Sequence, residues 1–286
     1  MDIRFLESLV AVVEGGSISA AARGQGLTAT AVSQRIRALE VVFGADLLIR
    51  SGHAAVPTKA CLNLLPRARD LIFEAAMLKR DFGKDALSGP FRIGAIETAL
   101  SELIPSVVKT ISDNAPDCQL SIKPGTSIQL YEMLENGQID LAIMVIPPFA
   151  IPKAFCLDKL AVQPYVLVQS IDNGPVTKDR LISEPIILYD RKSWGGAPAW
   201  KWVTEYANPQ NIMCDLDGLR TIAAMVENGL GIALLPSWPE LLDSKAKLSF
   251  IAPTPPISDR KIVLLGKAAE KHDPLCGLIR KCLLQH

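Results

Sequence analysis

Residues 17–50 read SISAAARGQGLTATAVSQRIRALEVVFGADLLIR, and the fold turns on how they are divided. Val32, Ile36, Leu39 and Phe43 recur at helical spacing and predict a buried stripe. Thr30, Ser33, Gln34 and Arg37 fall on the opposite side, and each carries a group able to hydrogen-bond a base edge or a phosphate. Thr28 stands where an N-cap belongs, just before Ala29. Gly24 and Gly26 in the turn ahead tolerate the positive φ that a tight reversal needs. Ala21 and Ala22 keep the preceding helix thin, so that two helices can cross closely. The pattern predicts a helix-turn-helix whose second helix offers a polar face to duplex DNA.

Working outward, Ile3, Leu6, Leu9, Val10 and Val13 predict a first helix over 3–14 that covers this pair, with Gly15 and Gly16 ending it and Ser17 capping the next. Past Gly44, the stretch from Leu47 to Pro57 turns at Ser51-Gly52-His53-Ala54 and predicts a small hairpin, or wing. From Thr58 to about Leu87, Leu64, Ala68, Leu71, Ala75, Leu78 and Phe82 alternate by four and three residues. That seam has heptad spacing and reads as a dimerisation stalk, kinked or loosened at Pro66. Ser88-Gly89-Pro90 then breaks the helix.

The remainder alternates strands and helices. Strands are predicted at 91–95, 118–123 and 141–145, with helices over 98–114 and 128–136 between them; this β-α-β-α-β order implies a parallel sheet with right-handed crossovers. A second set of strands is predicted at 165–169, 186–189, 212–215 and 231–235, with helices over 198–206 and 219–227. A strand at 261–266 and a helix from Asp273 close the chain. The expected organisation is a winged helix-turn-helix over 1–58, a linker helix over 59–88 and an α/β domain over 89–286. Its two lobes take about 91–161 with 267–286, and about 162–266, joined near 160–164 and 266–268 around a cleft.

Composition narrows the function. The chain has 286 residues, 49 % of them hydrophobic and 21 % charged, enough for more than one ordered core. Its 30 basic and 30 acidic residues cancel, which argues against a general polyanion binder. Residues 1–60 hold six basic against five acidic side chains, so DNA contact requires a local patch, and an oligomer would multiply the phosphate contacts. Six scattered cysteines without a C-x-x-C pair, and three histidines outside metal-ligand spacing, point to reduced thiols and no metal or other cofactor. The N-terminus lacks a signal-peptide core and no uncharged apolar run reaches membrane-spanning length; the expected location is cytoplasmic. There is no phosphate-binding G-x-x-x-x-G-K, no G-x-G-x-x-G after a strand and no G-x-S-x-G elbow, so enzyme readings are poor.

The motifs resemble a known family along essentially the whole chain. They are Ser17-x-x-x-Ala21-Ala22, the run Ala31 to Ile36 with Leu39-Glu40, Gly44-x-x-Leu47-Leu48-x-Arg50 and Pro57-Thr58. Further on come Arg92-Ile93-Gly94, Gly137-x-x-Asp140-Leu141-Ala142 and Val226-x-x-Gly229-Leu230-Gly231-x-x-Leu234-Leu235-Pro236. In this order and spacing they are similar to the LysR-type transcriptional regulators. The resemblance implies a winged helix-turn-helix, a dimerising linker helix and an effector domain like periplasmic solute-binding proteins. It also implies homodimers or homotetramers, and contact with RNA polymerase where a member activates. Departures fall at Gln25, where the family usually buries Leu, at Ala29, at Leu48, at Cys61 and in the wing, which lacks its usual Arg and Lys.

Candidate DNA contacts are Thr28, Thr30, Ser33, Gln34, Arg37, Arg50 and His53, with Gln34 suited to adenine and Arg37 to guanine. Arg35 is expected to pair with Glu40 or a neighbouring helix instead. Candidate effector contacts sit where strands end and helices begin: Glu97, Thr98, Thr126, Ser127, Asp190, Trp194 and Asp215. Thr98, Thr126 and Ser127 suit a carboxylate, Asp215 and Asp217 could face a cationic group, and Glu97, Asp190 and Asp215 together suit a cation, which suggests an amino acid or a carboxylate. The leading expectation is a ligand-responsive transcriptional regulator. The alternative is a cytosolic small-molecule sensor whose DNA-binding function is weakened or lost, which the neutral charge and stripped wing would suit.

Overall fold

The computed structural model describes residues 2–51, 54–82, 87–173, 183–243, 247–271 and 273–285. The chain divides into two compact units, Met1–Pro90 and Phe91–His286.

In the first unit, α1 spans Ile3–Gly15, α2 Ile18–Gly24 and α3 Ala29–Phe43. The local signals act as read. Ser17 accepts the Ala20 amide at 3.1 Å and Thr28 accepts the Ala31 amide at 3.1 Å, each satisfying an orphan donor of a first turn. Gly26 alone supplies the left-handed residue of the turn, at φ 63°; Gly24 closes α2 in ordinary helical geometry, contrary to expectation. Leu6, Leu9, Val12, Val32, Ile36, Leu39 and Leu47 are buried, each worth roughly 1.5–3 kcal/mol by removal from water. Phe43, expected in that stripe, is 40 % exposed, because the last turn of α3 runs past the core beside exposed Val41 and Val42.

The wing is an antiparallel pair, β1 Leu48–Ser51 and β2 Ala54–Pro57, in register from Leu48 opposite Pro57 to Ser51 opposite Ala54. Helix α4, Lys59–Phe82, starts at a cap in which Thr58 accepts the Cys61 amide at 3.1 Å. It runs unbroken through Pro66; the carbonyl that loses its donor there belongs to Leu62, which is exposed and open to solvent. The helix gives Cys61, Leu65 and Ala68 to its own domain's core, whereas Leu71 stays 49 % exposed. The expected stretch to Leu87 crosses residues 83–86, outside the described residues.

In the second unit the first sheet has the order β4-β3-β5-β12-β6, with β3 Gly89–Ala95, β4 Cys118–Pro124, β5 Leu141–Val145, β6 Phe155–Gln163 and β12 Arg260–Lys267. β3 and β5 pair parallel, as the crossover pattern requires. β12 is antiparallel to both β5 and β6, so the sheet is mixed. This corrects the expected lobe boundary: the strand at 260–267 belongs to the first lobe, so the chain returns to that lobe before Arg260, not at 266–268. The predicted helix over 98–114 is two, α5 Glu97–Glu102 and α6 Ile104–Asn114, because Pro105 in the first turn of α6 has no amide to bond back and its ring crowds the preceding turn. α7, Ser127–Glu135, and α11, Pro274–Leu284, pack on the same sheet through Leu130, Leu134, Leu275 and Ile279.

The second lobe holds the antiparallel order β10-β7-β11, with β7 Tyr165–Ser170, β10 Ala233–Pro236 and β11 Leu248–Ile251. Beside it lies a parallel pair, β8 Ile186–Tyr189 and β9 Ile212–Leu216, joined to it by a bridge between Ile186 and Ile232. Helices α8 Gly196–Tyr206, α9 Leu219–Glu227 and α10 Pro239–Asp243 complete the lobe. Its cores gather Tyr165, Leu188 and Trp202 on one side and Val168, Ile222, Val226 and Trp238 on the other.

Candidate nucleic-acid interface and effector cleft

Helix α3 sorts its residues by a 3.6-residue period. Val32, Ile36 and Leu39 go inward; Thr28, Thr30, Gln34 and Arg37 are exposed, with Ser33 half-buried beside them. Thr30, Gln34 and Arg37 have no hydrogen-bonding or ionic partner among the described residues, so their polar groups are free for an outside acceptor. Arg35 differs. Its guanidinium donates to Ser8 Oγ at 3.0 Å and to the Arg4 carbonyl at 3.4 Å, which ties α3 to α1. Ser8, fully buried, donates in turn to Gln25 Oε1 at 2.8 Å. The departure at Gln25 is therefore matched by a hydrogen-bonded partner, as a polar group in that position must be. Glu40, expected as a partner of Arg35, instead accepts the Leu47 amide at 2.9 Å and fixes the approach to the wing. Arg50 lies in β1, and His53 falls outside the described residues.

Between the lobes of the second unit, Ile96, Glu97, Thr98, Ser127, Tyr189, Ser193, Asp217, Leu219 and Arg260 enclose a cavity of about 20 Å³. Such a space holds about one water. Glu97 Oε2 accepts the Leu219 amide at 2.9 Å, so a side chain of the first lobe caps a helix of the second. Gly218, at the N-cap of α9, has no side chain to do so. Ser127 Oγ accepts the Val145 amide at 3.1 Å, which anchors the start of α7 to the end of β5 and leaves its hydroxyl proton for another acceptor. Arg260, 4 % exposed, donates through Nη1 to Gln163 Oε1 at 2.8 Å and to Thr98 Oγ1 at 3.5 Å, while its Nε is buried without a partner. Burial, with Asp190 and Glu97 nearby, pushes the Asp217 carboxyl above its usual range against the pull of Arg260. Burial likewise raises the Tyr189 hydroxyl.

The sequence-derived effector set thus divides. Glu97, Thr98 and Ser127 line the cavity. Thr126 is occupied in a capping box with Gln129. Asp190 accepts the Lys192 amide at 3.0 Å, and Asp215 pairs with Arg191 at 2.8 Å; neither lines the cavity. Trp194 packs against Tyr131 and Phe149 of the first lobe, with ring centroids 5.9 and 5.6 Å apart, and borders a neighbouring groove of about 560 Å³ that shares Ser193 with the cavity. Of the two aspartates expected to face a cationic group, Asp217 lines the cavity and Asp215 does not, and sequence reasoning missed Arg260. An arginine placed just before the apolar run Ile262–Leu265 was the available signal.

A winged helix-turn-helix with a free polar face, followed by a two-lobed α/β domain enclosing a polar cavity, defines a DNA-binding regulator that responds to a small molecule. A family model described as bacterial regulatory helix-turn-helix protein, lysR family, matches residues 3–62, and one described as LysR substrate binding domain matches residues 84–286. The chain belongs to the LysR family and is a DNA-binding transcriptional regulator with a ligand-binding effector domain. Among curated proteins, it is 28 % identical over 244 residues to the hydrogen peroxide-inducible genes activator of Dickeya chrysanthemi, covering 83 % of this chain and 79 % of that one. It is 26 % identical over 248 residues to the regulator IlvR of Caulobacter vibrioides, covering 83 % of each. Among solved structures, the LysR family regulator CbnR shares the fold at a TM-score of 0.64 and 18 % identity, over 100 % of this chain and 99 % of that chain. A probable transcriptional regulator of Pseudomonas aeruginosa does so at 0.72 and 16 %, over 99 % and 96 %.

Proposed function

We propose that this chain binds duplex DNA as a homodimer or homotetramer through Thr28, Thr30, Ser33, Gln34, Arg37 and the Arg50 and His53 wing, and that a small molecule in the inter-lobe cleft of residues 91–286 controls it. The observation that carries the reading is the uncommitted polar face of α3, with Gln34 and Arg37 exposed on a helix that buries Val32, Ile36 and Leu39 on its other side. CbnR, which shares the fold, has been solved in complex with its target DNA, which supports DNA binding by this chain. The winged domain and linker are proposed as 1–58 and 59–88, with oligomerisation through the uncovered side of α4. The chain is proposed to act in the cytoplasm without catalysing a reaction, and to contact RNA polymerase where it activates. No single helix among the described residues is long and apolar enough to cross a membrane.

Retardation of DNA fragments from the region upstream of the gene tests the reading. Binding should weaken as salt rises, with a log–log slope set by the number of phosphates neutralised. Equal, salt-insensitive binding to every fragment, or none to operators selected from a random pool, would overturn it.

A further inference from the structure

We propose that the inter-lobe cleft takes a small zwitterion with neighbouring ammonium and carboxylate groups, an α-amino acid with a short side chain. Arg260 receives its carboxylate, and Glu97 and Asp217 receive its ammonium. The inference rests on the cleft being the effector site and adds the chemistry of what fills it.

The charge on the walls decides the class. One guanidinium, Arg260, faces two carboxylates, Glu97 and Asp217, in the same cavity. A simple monocarboxylate would meet Arg260 at the cost of lying beside two like charges. A simple amine would satisfy the carboxylates and leave the buried Arg260 guanidinium without an anion of its own, and a buried charge left unpaired is costly. A ligand carrying both charges meets both demands. Because Nη1 is already committed to Gln163 and Thr98, the Arg260 guanidinium is held in place against the cavity wall as a fixed positive charge for a carboxylate. The Ser127 hydroxyl, whose oxygen already accepts the Val145 amide, has its proton to give to the same carboxylate. Glu97 uses Oε2 on the Leu219 amide and is exposed at the mouth, so its other oxygen is placed for an ammonium.

Size follows from the walls. A volume of about 20 Å³ admits no organic molecule unless the Glu97–Leu219 contact opens, and Ile96, Tyr189 and Leu219 close around what enters. A short side chain needs the least separation of the lobes.

Calorimetric titration of the full chain with glycine, alanine and serine, alongside acetate, propionate and methylamine, tests the proposal. At least one amino acid should bind tenfold or more tightly than its analogues lacking either charge. Glu97→Gln, a surface change that spares the core, and Arg260→Gln should each weaken that binding tenfold or more. Asp217→Asn should weaken it also. A monocarboxylate that binds as tightly as any amino acid, and loses affinity in Arg260→Gln, would overturn the zwitterion and keep the cleft as the effector site. An amino acid whose binding ignores both Glu97→Gln and Arg260→Gln would overturn the cleft reading with it. Silence across the amino acids overturns the proposal.

Discussion

The Glu97 carboxylate and the Leu219 amide meet at 2.9 Å, so the helix opening the second lobe's wall is capped from the first lobe. A charged acceptor on a helix N-terminal amide combines a hydrogen bond with the favourable end of the helix dipole. Glu97 is exposed, which discounts the bond to about 1 kcal/mol from the roughly 1.5–3 kcal/mol of a charged pair. In Glu97→Ala, the Leu219 amide should exchange with solvent about five- to tenfold faster while amides in α3 are unaffected. Unchanged protection at Leu219 would mean that the lobes are held by other contacts.

Asp217 sets the direction of a pH dependence. Its carboxyl is raised above the ordinary 3.8, first by burial and then by Asp190 and Glu97. The folded chain therefore holds this proton longer than the unfolded chain does, and stability falls as pH climbs from the ordinary value through the raised one. Asp217→Asn removes the titration. The variant should melt higher than the parent at neutral pH, and the gap should close as pH drops toward 3.8. A gap that widens on acidification would show the carboxylate to be stabilised by its surroundings.

On α3 the two neighbouring arginines should separate cleanly. Arg37 is exposed and uncommitted, and a base or phosphate contact is worth about 1–3 kcal/mol, roughly 5- to 150-fold in affinity. Arg37→Ala should weaken operator binding within that range and leave the denaturation midpoint unmoved. Arg35→Ala should do the reverse in kind. It strips Ser8 of a partner in a buried network and should lower stability by about 1 kcal/mol, read by urea unfolding.

What was legible in the sequence is what forms over short separations. Ser17, Thr28 and Asp273 bond to amides three residues on, so their positions could be read directly. The buried stripe of α3 obeys the same short period until Phe43, where the core ends. The cleft is different in kind. Arg260 reaches Thr98 across 162 positions and Gln163 across 97, and it joins them only because β12 returns to the first sheet. That return hid in the sequence: β6, its partner, carries Asp158 and Lys159 and shows little alternation, so neither the strand nor the pairing was evident. Trp194 was visible as an aromatic in a glycine-rich loop, but its partners Tyr131 and Phe149 come from the other lobe.

The linker seam makes the last expectation specific. Ala68 is fully buried by the winged domain that carries it, whereas Leu71, one turn along, keeps 49 % of its surface in water. A half-exposed leucine there on a helix of 24 residues gains roughly 0.7–1.5 kcal/mol if a second copy covers it, and a two-fold interface counts that gain twice. Leu71→Asp replaces the gain with a buried charge. Sedimentation of the variant should show the assembly dissociating at concentrations where the parent stays associated, by tenfold or more. The isolated domain core should be intact, because Cys61, Leu65 and Ala68 still face inward. If the two sediment alike at every concentration, Leu71 lies outside the interface and another face of α4 carries it.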